Sequence, residues 1–182
     1  PLPLARAGGR PFDLADARGK VVAVFFGYAS CPDVCPTTLA DLARMANALP
    51  ERTRDRFRVV FVSVDPARDT PAIADAYARR FHPSFVGVTG DEARVAAVAR
   101  SYGVAATPLP AGASTVPVDA AAPAAHGDHA AHPAPSAAGT GGYDVMHAGS
   151  IFLIDREGRL RTVLSAGTPM ADVAADVRKL AG

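Results

Sequence analysis

Short apolar runs alternate with helical patterns along much of this chain. Three runs, Val21–Phe26, Val59–Val64 and Phe85–Val88, are rich in Val and Phe, which is typical of buried strands. Helical spacing of apolar residues follows each run: Leu39, Leu42, Met45 and Leu49, then Ile73, Ala76, Tyr77 and Phe81, then Val95, Val98 and Tyr102. This alternation predicts an α/β domain.

The C-terminal part of the chain adds a hairpin and a last helix. Ser150–Ile154 and Leu160–Leu164 flank the turn Asp155–Gly158, which predicts a β-hairpin. A final helix over about residues 169–180 is expected to turn three apolar side chains inward, those of Met170, Val173 and Val177. The order of elements predicts a single thioredoxin-like domain over residues 1–182, with a central mixed β-sheet flanked by helices.

Residues 105–142 interrupt this pattern. Of these 38 residues 14 are Ala, six are Pro and five are Gly, and none is Lys or Arg. Such a composition offers little that can pack, so we expect a long flexible insertion within the domain. It carries His126, His129 and His132, and because imidazoles bind divalent copper or zinc we expect a weak auxiliary metal site there.

Composition excludes several classes of protein. The net charge is +1 with no long basic block, so we expect no nucleic-acid partner. No apolar run approaches the roughly 20 residues that cross a bilayer. Because the sequence opens at Pro1 with no signal peptide, we expect a mature or trimmed domain whose leader or membrane anchor lies outside it.

The chain has two cysteines, Cys31 and Cys35, between the first predicted strand and the helical stretch that begins near Thr37. At the mouth of a helix a thiolate is stabilised by unpaired N–H groups and the helix dipole, and an i, i+4 spacing puts both sulfurs on one face if the first turn is formed. The pair could close a disulfide or bind a metal that prefers soft ligands. Thioredoxin-type reductases have two residues between their cysteines, whereas this chain has three. The extra residue favours a metal site over a reductase, and the exposed position before a helix argues against an inert buried pair.

His147 immediately precedes the predicted strand Ser150–Ile154. A single histidine is often only packed or solvated. In a thioredoxin-like layout, however, the turn that enters this strand faces the mouth of the cysteine helix, so two thiolates and one imidazole would converge. That set suits three-coordinate Cu(I), whereas zinc would require a fourth ligand.

Polar residues follow the second predicted strand, in the segment from Val62 to Pro71. Open α/β sheets place their sites at this end of their strands. We interpret the segment mainly as turn-building, with Asp65 ending the strand and with Asp69 and Thr70 starting the next helix. Asp65 or Asp69 is also a candidate to support the metal ligands or to face a partner.

The segment Phe25–Leu39 resembles the signature of the Sco/SenC/PrrC family of copper chaperones. Three later segments resemble the same family in order and spacing, namely Ser63–Pro71, Thr89–Asp91 and Ser101–Val104. The resemblance as a whole runs from about Phe12 to the last helix. One departure stands out, because the family usually has an acidic residue before its histidine and this chain has Met146, which we expect to pack rather than to bind metal.

The resemblance implies a thioredoxin fold that holds one copper ion, as Cu(I) or Cu(II), through Cys31, Cys35 and His147. It also implies assembly of the CuA centre in subunit II of cytochrome c oxidase, with other periplasmic copper chaperones as partners. The expected protein is a monomer, held at the periplasmic face of a bacterial membrane by an anchor outside this sequence.

An alternative function is that of a thiol–disulfide oxidoreductase that reduces the CuA-site cysteines of the client. Cys31 would then be the exposed attacking thiol and Cys35 the resolving one. The two functions can coexist, because copper and a disulfide compete for the same sulfurs. A copper site requires His147 and a reductase does not. A peroxidase is a third alternative, but the sequence shows no peroxidatic signature.

Overall fold

The computed structural model describes residues 4–104, 107–110, 143–146, 149–165 and 167–182. The strands are β1 (Leu4–Ala5), β2 (Pro11–Phe12), β3 (Val21–Gly27), β4 (Phe57–Ser63), β5 (Val86–Val88), β6 (Thr107–Pro110), β7 (Tyr143–Met146), β8 (Ile151–Ile154) and β9 (Leu160–Leu164). The helices are α1 (Val34–Ala48), α2 (Glu51–Asp55), α3 (Pro71–Phe81), α4 (Glu92–Ser101) and α5 (Met170–Ala181), with 3₁₀ turns at Ala7–Gly9 and Leu14–Ala17.

The central sheet has the strand order β5-β4-β3-β8-β9. β3, β4 and β5 are parallel, whereas β8 is antiparallel to both β3 and β9. Every residue of β3 is buried, because helices cover both faces of a strand at the centre of the sheet. The predicted thioredoxin-like mixed sheet and the C-terminal hairpin are both confirmed.

Alternation along β3 assigns the two faces of the sheet. Val21, Ala23 and Phe25 pack with α1, α3 and α5, whereas Val22, Val24 and Phe26 pack with α4 and the N-terminal segment. The apolar face predicted for α1 is buried. In α4 and α5 the valines of the predicted faces are buried, whereas Tyr102 and Met170 are half-buried. The helix that follows the cysteines therefore packs on the first face.

The apolar face predicted for α3 is partly wrong. Ile73 is 45% exposed and Ala76 is also exposed, while Ala74, Tyr77 and Ala78 are buried. The cause is close packing of α3 on β5, where a Cβ added to Gly87 would lie 1.9 Å from the Ala74 carbonyl oxygen. This contact between two small residues fixes the rotation of the helix, and apolar periodicity does not detect it.

The flexible insertion predicted from residue 105 onward contains a strand that we did not expect. β6 pairs antiparallel with β7, from Thr107 opposite Met146 to Pro110 opposite Tyr143. Proline is tolerated in strands that have an open edge, and Pro108 and Pro110 occupy alternate positions, so both can lie on the edge away from the partner strand. Residues 111–142 lie outside the described residues, so their flexibility stays a prediction.

The N-terminal segment closes the second face of the sheet. Leu4 and Phe12 are 3% and 2% exposed, and β1 also forms a bridge to Thr89 beyond the end of β5. None of the helices in the described part of the chain has both the length and the apolar character of a membrane span.

Candidate metal centre

Cys31 and Cys35 lie where the chain passes from β3 into α1. α1 begins at Val34, so Cys31 precedes the helix, and the two cysteines do not share one helical face as the i, i+4 spacing had suggested. The loop nevertheless brings them together, because the Cys35 N–H donates to Cys31 Sγ at 3.4 Å. Cys35 is fully buried, whereas Cys31 is half-buried and packs against the core.

The Cys35 thiol is held in its protonated form. Its hydrogen bond with the Cys31 side chain and its burial raise the pKa of Cys35 far above the usual value, and the backbone of Tyr28 only partly opposes this. Any stabilisation of a thiolate by the start of α1 is therefore outweighed at Cys35. A metal ion that binds here has to displace this proton.

Gly27, the last residue of β3, makes room for the Cys35 sulfur. A Cβ at this position would lie 2.6 Å from Cys35 Sγ and 3.0 Å from the Phe61 ring. Any other residue would push the sulfur or the ring away. This role of Gly27 was not predicted, although a glycine that ends an apolar strand is a signal of close approach.

Asp69 ties the cysteine loop to the sheet. Its carboxylate accepts the Ala29 N–H at 2.8 Å and the Ser63 hydroxyl at 2.5 Å, and the residue is 3% exposed. Thr70 alone caps α3, so the expected contribution of the Asp69 side chain to that helix start is wrong. Burial raises the pKa of the Asp69 carboxyl, although these two hydrogen bonds oppose the rise.

Asp65 acts on the same loop through a second contact. Its buried carboxylate forms an ion pair with Arg68, and the Arg68 guanidinium lies 5.6 Å from the ring centroid of Tyr28. Tyr28 in turn accepts the Cys31 N–H with its carbonyl oxygen at 3.2 Å. The turn after β4 thus supports the cysteine loop at two points, one through Asp69 and one through Arg68.

A groove of about 440 Å³ opens beside the first turn of α1. Asp33 and Val34 line one side of it, and Ile151 and Met170 line another. The start of β8 and the start of α1 therefore face a common space.

Four predicted ligands lie outside the described residues, namely His147, His126, His129 and His132. Within the part of the chain that is described, no group of three or more His, Cys, Asp or Glu side chains is arranged to hold a metal. Among the described residues, the cysteine pair supplies two neighbouring sulfur atoms.

The fold and the cysteine pair together define a thioredoxin-like protein with its two thiols at the end of the central strand. The chain matches the SCO1/SenC family over residues 2–182 and belongs to that family. This match includes the segment before Phe12, where the sequence alone showed no resemblance.

Solved structures and curated relatives agree with this assignment. ScoI from Bradyrhizobium japonicum, determined with copper bound, is 30% identical, with a TM-score of 0.72 over 97% of this chain and 95% of its own. Apo Sco1 from Thermus thermophilus is 36% identical, with a TM-score of 0.75 over 97% and 88%. Mitochondrial SCO2 from Saccharomyces cerevisiae is 36% identical over 57% of this chain and 35% of its own.

The curated relatives are longer proteins. This chain spans 65% of the length of a relative from Stutzerimonas stutzeri and 35% of the yeast protein.

Proposed function

We propose that this chain binds one copper ion through Cys31, Cys35 and His147 and delivers it to the CuA centre of cytochrome c oxidase. The observation that carries the proposal is the meeting of the two cysteines, where the Cys35 backbone N–H donates to Cys31 Sγ at 3.4 Å in a loop held at several points. Two neighbouring sulfurs, one on a buried residue and one on a half-buried residue, are a soft donor pair of the kind that Cu(I) prefers.

Chain connectivity supports His147 as the third ligand. Ile151 pairs with Phe25 near the end of β3 and lines the groove beside α1. His147 lies four positions before Ile151 along the chain, so its Cα stays within roughly 14 Å of that point. A neutral imidazole on this tether would complete a three-coordinate site.

The relatives support copper as the cargo. The Bradyrhizobium japonicum protein was solved with copper bound, and its similarity covers nearly the whole of both chains. The client (subunit II of the oxidase), the exchange of copper with other periplasmic chaperones and a membrane anchor follow from the family resemblance and form part of the same proposal.

A titration of reduced protein with Cu(I) against a chromophoric chelator tests copper binding. We expect one equivalent of tightly bound copper, loss of tight binding in Cys31→Ser and Cys35→Ser, and weaker binding in His147→Ala. His82→Gln is the matched control, because His82 contacts Asn47 and Ser84 far along the chain from the cysteines. Tight binding that survives Cys35→Ser would contradict the proposal.

The unequal exposure of the two cysteines favours a second function, reduction of the client disulfide. The less buried Cys31, as a thiolate, would attack one client sulfur and release the other as a thiolate. Cys35 would then pass its proton to the released client thiolate, attack Cys31 as a thiolate, close the Cys31–Cys35 disulfide and release the second client sulfur as a thiolate. Both electrons pass to the client, and this chain ends oxidised.

The two functions differ in whether they require His147. We expect His147→Ala to reduce a disulfide-bonded CuA domain at the wild-type rate while it binds copper weakly, because no step of the exchange uses the imidazole. Cys31→Ser should abolish the exchange. A reduction rate that falls in His147→Ala as much as copper affinity does would argue against an independent reductase.

A further inference from the structure

One end of the central sheet gathers cations that are dispersed along the sequence. Lys20 precedes β3, and its Nζ donates to the Asp55 carbonyl oxygen at the end of α2, at 2.7 Å. Arg56 follows α2, and its guanidinium donates to the Ala181 carbonyl oxygen at the end of α5, at 3.0 Å. These contacts join the starts of β3 and β4 to the ends of α2 and α5.

The turn before β5 adds the end of α3 to the same surface. Arg58, in β4, donates to the Ser84 carbonyl oxygen at 2.9 Å, and Arg79, in the last turn of α3, donates to that of Pro83 at 3.2 Å. Burial and then nearby arginines lower the pKa of His82 in this turn, as expected beside a group of cations. Three helices therefore end together, at the end of the sheet where β3 and β4 begin.

We call this surface the basic end. It has nine cationic residues, namely Lys20, Arg52, Arg54, Arg56, Arg58, Arg79, Arg80, Arg178 and Lys179. Lys20 and Arg58 are half-buried and the other seven are exposed. Two carboxylates of α2, Glu51 and Asp55, lie among them. The chain as a whole carries a net charge of only +1, so the fold separates charge that the composition balances.

The cations of the basic end also differ from others in their partners. Among the residues that the structure describes, Arg79 is the only one of the nine that forms an ion pair, and its partner is Asp75. By contrast, three arginines outside the basic end each pair with an aspartate, namely Arg44, Arg68 and Arg94. Cations without a carboxylate partner leave their field available to an anionic surface.

Helix stability explains only part of this arrangement. A cation in the last turn of a helix counters the helix dipole, which accounts for the basic residues at the ends of α3 and α5, namely Arg79, Arg80, Arg178 and Lys179. It does not account for Arg58, which lies in a strand, or for the meeting of three helix ends at one end of the sheet.

Exposed apolar anchors do not accompany these cations. The large apolar side chains that the described part of the chain exposes lie in other segments: Val34 begins α1, Ile73 is in the first turn of α3, and Leu160 and Val163 are on β9. No Phe or Tyr with a described side chain is exposed. Protein interfaces have an apolar and often aromatic core, and single-stranded nucleic acid stacks on aromatic rings. A broad array of cations without such anchors fits the headgroups of anionic lipids better.

We propose that the basic end is a docking surface for an anionic phospholipid membrane, and that this contact turns the cysteine loop away from the bilayer. β3 runs seven residues from the basic end to Gly27, so roughly 20 Å of sheet separates the two ends. The contact is electrostatic and requires neither copper nor the proposed anchor. It would leave the cysteines open to a partner while the chain lies on the membrane.

Sedimentation with lipid vesicles tests the proposal on reduced, metal-free protein. We expect binding to vesicles that contain phosphatidylglycerol and none to pure phosphatidylcholine. Raising the salt from about 0.1 M to about 1 M should release the protein, because the screening length falls from about 10 Å to about 3 Å. Equal binding to both kinds of vesicle, or binding to neither, would overturn the proposal.

Arg52→Gln/Arg54→Gln removes two exposed cations of the basic end. Each basic residue near an anionic surface strengthens binding about fivefold, so this variant should bind about 25-fold more weakly. Glutamine has nearly the helix propensity of arginine, so the fold should be kept. Arg80→Gln/Lys179→Gln repeats the test on α3 and α5, and wild-type affinity in both variants would overturn the proposal.

Arg44→Gln/Arg94→Gln is the matched control. It lowers the net charge by the same two units but removes arginines that pair with Asp41 and Asp91, outside the basic end. Its binding should change by less than about twofold, because charges more than a screening length from the membrane contribute little. An equal loss in the control and in Arg52→Gln/Arg54→Gln would show a general effect of net charge and would overturn the proposal.

Two further measurements test the orientation and the kind of partner. Iodoacetamide should modify Cys31 as fast on vesicles as in solution, because the cysteine loop faces away from the lipid. Protection of Cys31 by the vesicles would place the cysteine end on the membrane and overturn the proposal. Tighter binding to poly-glutamate or to duplex DNA than to the vesicles, at equal concentrations of negative charge, would assign the basic end to another polyanion and would also overturn it.

Discussion

Replacement of Gly27 by alanine tests whether the space above the end of β3 is part of the site. The new Cβ would lie 2.6 Å from Cys35 Sγ and 3.0 Å from the Phe61 ring, so the sulfur, the ring or the strand has to move. Overpacking of this kind costs about 1–3 kcal/mol, and reduced freedom of the unfolded chain returns about 0.4–1 kcal/mol. We expect a net loss of about 1–2 kcal/mol, which lowers the thermal midpoint by about 2–8 °C for a chain of this size.

Copper affinity should fall as well. In the metal-free protein the Cys35 sulfur can rotate away from the added methyl, whereas a bound copper requires it to stay beside Cys31. A residual strain of about 1.4 kcal/mol in the loaded state weakens binding about tenfold. Urea denaturation measures the first effect, and competition with a chelator measures the second.

Gly90→Ala is the control for Gly27→Ala. Its added Cβ would meet the end of the flexible Leu4 side chain at 3.1 Å, away from the cysteines, so stability should change little and copper affinity not at all. If Gly27→Ala matched the wild-type protein in both stability and affinity, the inferred crowding around Cys35 would be wrong.

Four further predictions concern oxidation, pH, the insertion and Met146. Air oxidation should close a Cys31–Cys35 disulfide, which mass spectrometry detects as the loss of two hydrogens per chain. The oxidised form should not bind copper, because both sulfurs are then bonded to each other. Copper retained by fully oxidised protein would argue against the cysteine site. Burial and then the neighbouring arginines lower the pKa of His82 below 6.5, so the unfolded chain binds the proton first and the stability of the fold should decline as the pH falls through 6.5. The urea midpoint of His82→Gln should depend less on pH than that of the wild-type protein. An unchanged pH dependence of the midpoint would exclude His82 as the cause. Deletion of residues 111–140 should preserve the fold and the first copper equivalent and remove weak Cu(II) binding beyond it, whereas loss of the first equivalent would place that segment in the primary site. Met146→Leu should leave the absorption spectrum of the copper form unchanged, and a clear shift of its charge-transfer bands would make the thioether a ligand.

The sequence predicted the features of the fold that rest on local pattern. The apolar run of β3, the amphipathic face of α1 and the turn that begins at Asp155 all carry their signals within a few neighbouring residues. Features that depend on contacts between distant segments were not predictable in this way. The rotation of α3 is set by the meeting of Ala74 with Gly87, two residues with almost no apolar signal of their own.

The same distinction applies to the site. Spacing and flanking pattern identified Cys31 and Cys35, and the turn after β4 was recognised as polar. The contact of Asp69 with Ala29 joins residues forty positions apart, and the spacing of residues along the chain does not predict a contact of this kind. β6 was not predictable from the Ala, Pro and Gly content of residues 105–142, because a short strand in such a segment is revealed only by its pairing with β7.

X-ray absorption at the copper edge of the reduced, Cu(I)-loaded protein tests the central claim most directly. The account predicts one copper per chain with two sulfur ligands and one nitrogen, from Cys31, Cys35 and His147. His147→Ala should keep both sulfurs and lose the nitrogen, and Cys35→Ser should lose a sulfur. A coordination shell unchanged in Cys35→Ser, or a wild-type shell with fewer than two sulfurs, would contradict the account.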